Sequence, residues 1–350
     1  MLEGDLATVQ DAFEVRGWTD GLPFIPPTTD AVAQMLGEWH ETDSLGDAPP
    51  SYAPVTLRSL AANAVMAGCD PAAFPVLVAI FEALLDPAFN LGGVQTTTHP
   101  VAPLAIVHGP IVGQLGLNGG TGEFGPGNRG NATIGRAVRL ALMNIGGGRP
   151  GEGDRSTHGS PAKYTFCIAE NLEASPWPPF HQSVGLSADQ SAVTVVGCEA
   201  PHNVQDHEST LGARHLNIVA DSMRVLGHNG WALSGGNPIV VVLPPEAAAL
   251  LAGEGWSRLD VQYFLYHRAC RPVRELEAGG LWQQRDWPIW MNALALDRDA
   301  LVPPTRRPDE IIVLVAGGPG KHSVVLPGFG ASQAVTKPVR QAAEWHPSSG

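Results

Sequence analysis

Five short apolar runs punctuate the chain between residues 101 and 315: VAPLAIV (101–107), KYTFCI (163–168), AVTVVGC (192–198), NPIVVVL (237–243) and EIIVLV (310–315). Each has the length of one strand, and a strand that is apolar at nearly every position has both faces buried. Most are separated by segments with helical spacing: ATIGRAVRLALMNI (132–145), STLGARHLNIVADSMRVLG (209–227), EAAALLAGEG (246–255) and SRLDVQYFLYHRA (257–269). This alternation predicts an α/β fold, a compact sheet of mostly buried strands covered by helices. PLAIVHGPIVGQLG (103–116) and PIVVVLPPEAAALLA (238–252) share an apolar run followed by Pro and Leu, which raises a repeated strand-turn-helix unit against chance similarity.

Upstream, helical patterns over 3–15 and 29–39 flank GWTDGLPFIPPT. They predict an N-terminal helical arm over residues 1–55, anchored by Trp18, with the α/β core over 56–335 and a C-terminal tail over 336–350. Within the core, TLRSLAANAVMAG reads as a helix capped by Thr56. DPAAFPVLVAIFEALLD opens another, with Asp70 as cap and Pro71 at its first position.

Composition narrows the function classes. The 21 Lys+Arg against 34 Asp+Glu give a net charge of -13, the opposite of a phosphate-binding face, so nucleic acid is not an expected partner. No segment has the length of a membrane span, and MLEGDLATVQDAF carries acids where a secretory leader needs a basic stretch, so a cytoplasmic location is expected. The four cysteines, Cys69, Cys167, Cys198 and Cys270, form no CxxC pair and predict neither a disulfide framework nor a zinc ribbon. Apolar and Pro/Gly-rich surface loops lead us to expect a homo-oligomer.

Two glycine stretches imitate nucleotide motifs. GTGEFG (120–125) has dinucleotide-turn spacing, but the preceding strand ends about a dozen residues early and Pro126 follows the last glycine, so NAD is not expected. In VAGGPGKHS (315–323), Val315 stands where a P-loop needs glycine and His322 separates Lys321 from Ser323, so ATP is not expected. The loop GPGNRGN instead delivers free amides, Asn128, Arg129 and the cap Asn131 to a helix start, with Arg136 one turn further on. That set suits a carboxylate or phosphate, although a turn that binds nothing has the same composition.

Ligands of open α/β sheets collect beyond the carboxyl ends of strands. Three such ends are polar: His108, the stretch CEAPHNVQDHES (198–209), and GGPGKHS (317–323) with Lys321 and His322. Cys198, His202 and His207 offer zinc or iron ligands, and His202 and His207 offer acid/base groups. His99 and His108 bracket one strand, about 30 Å apart if it is straight, and cannot share a centre. Cys69, beside Asp70 at a helix start, and Cys167, in KYTFCIAEN, are the candidate nucleophilic thiols; a buried free Cys is equally a small apolar side chain.

The stretches GWTDGLPFIPPT, NAVMAGCDP, GVQTTTHPVAPL, GPGNRGNATIGRA, KYTFCIAEN, PHNVQDH and AGGPGKHS resemble those of a bacterial protein family to which no activity is assigned. The resemblance covers nearly the whole chain. It implies an association with thiol or selenol proteins of the UGSC-motif type, although this chain has no such motif, and it carries over no reaction.

Three functional readings follow. The first is an enzyme, an oxidoreductase or lyase, acting on a small carboxylate-bearing substrate, with Cys69 and Cys167 at the reacting carbon, His202 and His207 moving protons, and Asn128, Arg129, Asn131, Arg136, His108, Lys321 and His322 binding. The second is a metal-dependent lyase or hydrolase centred on Cys198, His202 and His207. The third is a non-catalytic ligand-binding protein or an accessory subunit of a thiol or selenol redox protein.

Overall fold

The computed structural model describes residues 5–227, 229–232, 237–278 and 296–346. Its strands are β1 (Ser44–Ala48), β2 (Ala53–Thr56), β3 (Ala102–His108), β4 (Cys167–Ala169), β5 (Ala192–Cys198), β6 (His202–Gln205), β7 (Ile239–Leu243), β8 (Arg271–Pro272), β9 (Leu301–Val302), β10 (Ile311–Val315), β11 (His322–Leu326) and β12 (Val335–Pro338). The helices that shape the core are α1 (Leu6–Val15), α2 (Thr29–Leu36), α3 (Leu57–Ala67), α4 (Phe74–Leu84), α5 (Leu91–Thr96), α6 (Ile111–Gln114), α7 (Arg129–Asn144), α8 (Phe180–Ser183), α9 (Gly212–Ser222), α10 (Pro245–Gly253), α11 (Arg258–Arg268) and α12 (Val273–Ala278).

The α/β architecture is present, and it contains two four-stranded sheets, ordered β12-β5-β3-β4 and β6-β11-β7-β10. Side-chain alternation shows how they stack. Leu104 and Ile106 of β3 meet Val240 and Val242 of β7, Ile312 and Leu314 of β10 and Leu326 of β11 in a core between the sheets. The intervening residues face outward: Ala105, Val107, Val193 and Val195 pack under α3, α4 and α7, while Val241, Leu243, Val313 and Val315 pack under α9, α10 and α11. The layers run helix, sheet, sheet, helix, so strands apolar at every position are buried on both faces by different partners.

Each sheet has the same pairing sequence of one parallel and two antiparallel ladders. β3 and β7, which carry the two similar stretches, occupy corresponding places; the correspondence is one of pairing and extends to no longer sequence match. The sheets also exchange edges. β6 follows β5 closely in sequence yet pairs with β11 of the other sheet, and β12 follows β11 yet pairs with β5.

Local signals place several ends. Thr56 caps α3 by accepting the Ser59 N–H, and Asp70 accepts the Ala72 N–H before Pro71 starts a single 3-10 turn leading into α4. In the arm, Phe13 stacks on Phe24 and takes the edge of Trp18, and a β1–β2 hairpin lies where the sequence showed only Pro and Gly. Residues 336–338 belong to edge strand β12, and Trp345 is buried against the core with its indole N–H on Glu82, so this part of the expected tail belongs to the folded body. Among the described residues no single helix is long and apolar enough to cross a membrane; apolar α4 is buried along nearly its whole length.

Candidate functional site

The glycine loop is a brace. The cap of α7 is Asn128, which accepts the Asn131 N–H and donates to the Gly116 carbonyl; Asn131, expected as the cap, lies inside the helix. Its amide holds the preceding loop, donating to the Asn118 carbonyl and accepting the Asn118 N–H. Arg129 donates through Nε and Nη2 to the Gly68 carbonyl at the left-handed C-cap of α3, and Arg136 forms a two-pronged pair with Asp20 of the arm at 2.8 and 2.9 Å. Both guanidinium groups are engaged, so the expected anion cradle is occupied by the protein itself. The two glycine stretches touch: the Gly317 N–H donates to the Gly119 carbonyl, and Gly318 packs on Thr121. Glycine serves close backbone approach here.

The candidate thiols are buried. Cys69 donates to the Thr133 carbonyl, and burial pushes its thiol up to about 12, outweighing that bond and the Arg129 charge. Burial likewise pushes Cys167 up to about 12, with Cys69 near enough to add to the effect. A thiol becomes a nucleophile by losing its proton, and both environments oppose that loss.

Cys198, His202 and His207 do not assemble. Cys198 lies in the core between the sheets, whereas His202 and His207 are exposed, and their ligand atoms do not gather within 4.8 Å of one another. The strand-end stretches around 206 and 321 do converge: the Asp206 N–H donates to the Lys321 carbonyl, Lys321 Nζ donates to the His207 carbonyl, and the His207 and His322 rings meet edge to face at 5.1 Å. They build a three-residue network that no sequence spacing points to. His215 of α9 places Nδ1 2.9 Å from Asp206 Oδ2 and Nε2 2.9 Å from Ser323 Oγ. The order carboxylate, imidazole, hydroxyl is that of a nucleophile relay, but Ser323 is fully buried and absent from the walls of the adjacent cavity of about 310 Å³. The chain of bonds pins α9 to β6 and β11.

His108 enters a different network from that of Lys321 and His322. Its Nδ1 is 2.8 Å from Glu170 Oε2 and its Nε2 3.0 Å from Thr194 Oγ1, which in turn bonds Thr336 on β12 at 2.9 Å. Glu170 also receives Arg258 Nη2 at 3.1 Å and the Phe180 N–H. Burial raises the Glu170 carboxyl, but the bonds from His108, Arg258 and Phe180 outweigh it and hold the group below the usual carboxylate range. His181 packs beside them, its ring 5.8 Å from that of His108.

A basin of about 700 Å³ opens between the arm and the loop 150–164, walled by Asp20, Arg139, Met143, Asp154, Ser156, His158, Lys163 and Tyr164 among others. Asp154 Oδ2 receives Lys163 Nζ at 2.6 Å and Arg139 Nη2 at 3.3 Å. Lys163 also donates to Ser156 Oγ at 2.6 Å, and Ser156 donates onward to the His99 carbonyl at 3.0 Å. Burial lowers the Lys163 ammonium more than Asp154 raises it, while the lysine and the Ser156 N–H hold Asp154 below its ordinary value against its own burial. Including Arg136 behind Asp20, three cations face two carboxylates. Of these, only Arg139, Lys163, Asp20 and Asp154 line the basin, so its charged wall is balanced. The sequence hides this site because its charges come from the arm, from α7 and from a loop, and no spacing rule brings Asp20, Arg139, Asp154 and Lys163 together.

No protein-family model matches this sequence, and no curated protein matches it.

Proposed function

We propose that the chain is an enzyme acting on a small carboxylate-bearing substrate in the Asp154–Lys163 basin, with Lys163 as the group that donates and recovers a proton. The observation that carries this reading is an ammonium at a cavity wall with only two of its three N–H donors engaged, by Asp154 and Ser156. The third can meet a substrate oxygen. Partial burial strengthens that charge-assisted bond and loosens the proton, since it lowers the ammonium below its ordinary value. The thiols lend no support: neither Cys69 nor Cys167 lines the basin.

Titration of the protein with acetate, malonate, succinate and malate, followed by calorimetry, tests the reading. At least one should saturate in the wild type, and Lys163→Met should weaken it about tenfold or more, the loss of a bond to a charged group worth roughly 1.5–3 kcal/mol. Arg139 still pairs Asp154 in that variant, so its thermal midpoint should stay near that of the wild type. Undiminished affinity in Lys163→Met, or no saturation by any of the four acids at millimolar concentration, sinks the proposal.

A further inference from the structure

We propose that His108, Glu170 and His181 form a binding site for a divalent transition metal between the two sheets, independent of the basin. Each offers one ligand atom, and the three atoms lie within 4.8 Å of one another. All three side chains are buried. Ligand atoms of a tetrahedral centre with bonds of about 2.1 Å sit roughly 3.4 Å apart, so small side-chain rotations close the set.

The independent sign is an orphan. His181 Nε2 lies 3.0 Å from the Ser187 carbonyl, which can only accept, so Nε2 carries the proton and a neutral ring keeps its lone pair on Nδ1. That Nδ1 is buried and has no hydrogen-bond partner. A buried acceptor without a donor is costly, and a metal ion satisfies it. The outer bonds are those a metal site uses to orient its ligands. His181 is held through Ser187, His108 Nε2 faces the Thr194 hydroxyl, and Glu170 Oε1 is gripped by Arg258 while Oε2 is the oxygen that faces His108.

Binding moves one proton within the cluster. His108 Nδ1, now hydrogen-bonded to Glu170, must present a lone pair, so a neutral ring shifts its proton to Nε2, which then donates to Thr194; the Thr194 hydroxyl turns to donate to Thr336. No net proton is released from the neutral ring, and one is released if the ring starts as imidazolium. Two imidazoles and one carboxylate form the donor set of open zinc and non-haem ferrous centres. Phe180 and Thr336, which bond Glu170 and Thr194, line a cavity of about 170 Å³ beside the cluster. The Arg258 charge opposes a second cation, so the affinity belongs in the micromolar range and not far below it.

The test is equilibrium dialysis of the tag-free, chelator-stripped chain against 10 µM Zn²⁺, with Co²⁺ absorption between about 500 and 650 nm as a second reading. One Zn²⁺ per chain and cobalt bands are expected. His181→Ala should weaken both at least a hundredfold, while His207→Ala, which removes an exposed neighbour of His322, should change neither. Less than a tenth of an equivalent in the wild type overturns the proposal whatever the variants do, and so does loss of binding in His207→Ala with retention in His181→Ala. These readouts use no added carboxylic acid and no basin residue, so they stand or fall apart from the basin.

Discussion

Replacing Glu170 by Gln is the most informative single change in the inter-sheet cluster. The carboxylate accepts from His108, from Arg258 and from the Phe180 N–H, and it has no exposed surface. Gln keeps one carbonyl for the Phe180 N–H, but its NH₂ either meets the Arg258 guanidinium, donor against donor, or forces the His108 ring to move its proton to Nε2 so that Nδ1 can accept. Arg258, itself buried, is left as an uncompensated charge. Breaking a buried pair in this way costs about 3–5 kcal/mol. With an unfolding entropy of about 2.1 cal/mol/K per residue, a chain of 350 residues carries roughly 0.7 kcal/mol/K, so the thermal midpoint should fall by about 4–7 °C. Calorimetry in EDTA measures this without interference from metal. The companion Glu170→Gln/Arg258→Met removes the stranded charge and should recover more than half of the loss, because removing both charges of a buried pair is far cheaper than leaving one unpaired. A single-variant loss under about 1 kcal/mol, or a double variant as unstable as the sum of the two singles, would refute the account of the cluster as a tightly coupled buried network.

Arg129→Ala should cost about 1–3 kcal/mol of stability, because the Gly68 carbonyl loses both of its guanidinium donors, and should leave carboxylate affinity unchanged; a tenfold affinity loss at unchanged stability would return the glycine loop to the site. Iodoacetamide on the native protein at pH 8 should leave Cys69, Cys167 and Cys198 intact, since burial pushes all three thiols up, with all four cysteines reacting in denaturant; rapid mass gain at Cys69 or Cys167 would revive the thiol mechanism. Glu170 and Asp154 both titrate below their ordinary values, so their stabilisation is fully present above the unfolded-state carboxylate range, about pH 4–4.5, and is lost as pH falls through the folded values. Denaturant midpoints taken from pH 6 down to pH 3 should therefore fall more steeply in the wild type than in Glu170→Gln, and parallel curves would contradict the assignment.

The sequence by itself determined the elements whose causes are local. Runs such as IVVVL declare burial on both faces, Thr56 and the Asp70-Pro71 pair mark helix starts through backbone N–H groups only two or three residues away, and the failed spacings of GTGEFG and GGPGKHS already spoke against nucleotide cradles. Even there, the choice between Asn128 and Asn131 as cap needed the structure, because both can accept an amide hydrogen and the loop they brace, residues 116–118, decides which does. Tertiary structure alone decided the rest. Periodicity says that a face is buried but not against what, so the exchange of β6 and β12 between sheets, and with it the second sheet, was not legible. His108 meets Glu170 across 62 positions and Arg258 meets Glu170 across 88, while His215 meets Ser323 across 108; no spacing rule reaches so far. Arg129, Arg136, Cys69 and Cys167 have the right chemistry for a site, yet chemistry does not reveal occupancy. Gly68, Asp20 and the surrounding core had already claimed them, because a buried polar group must find its partner inside the fold, and which partner is within reach is a property of three dimensions.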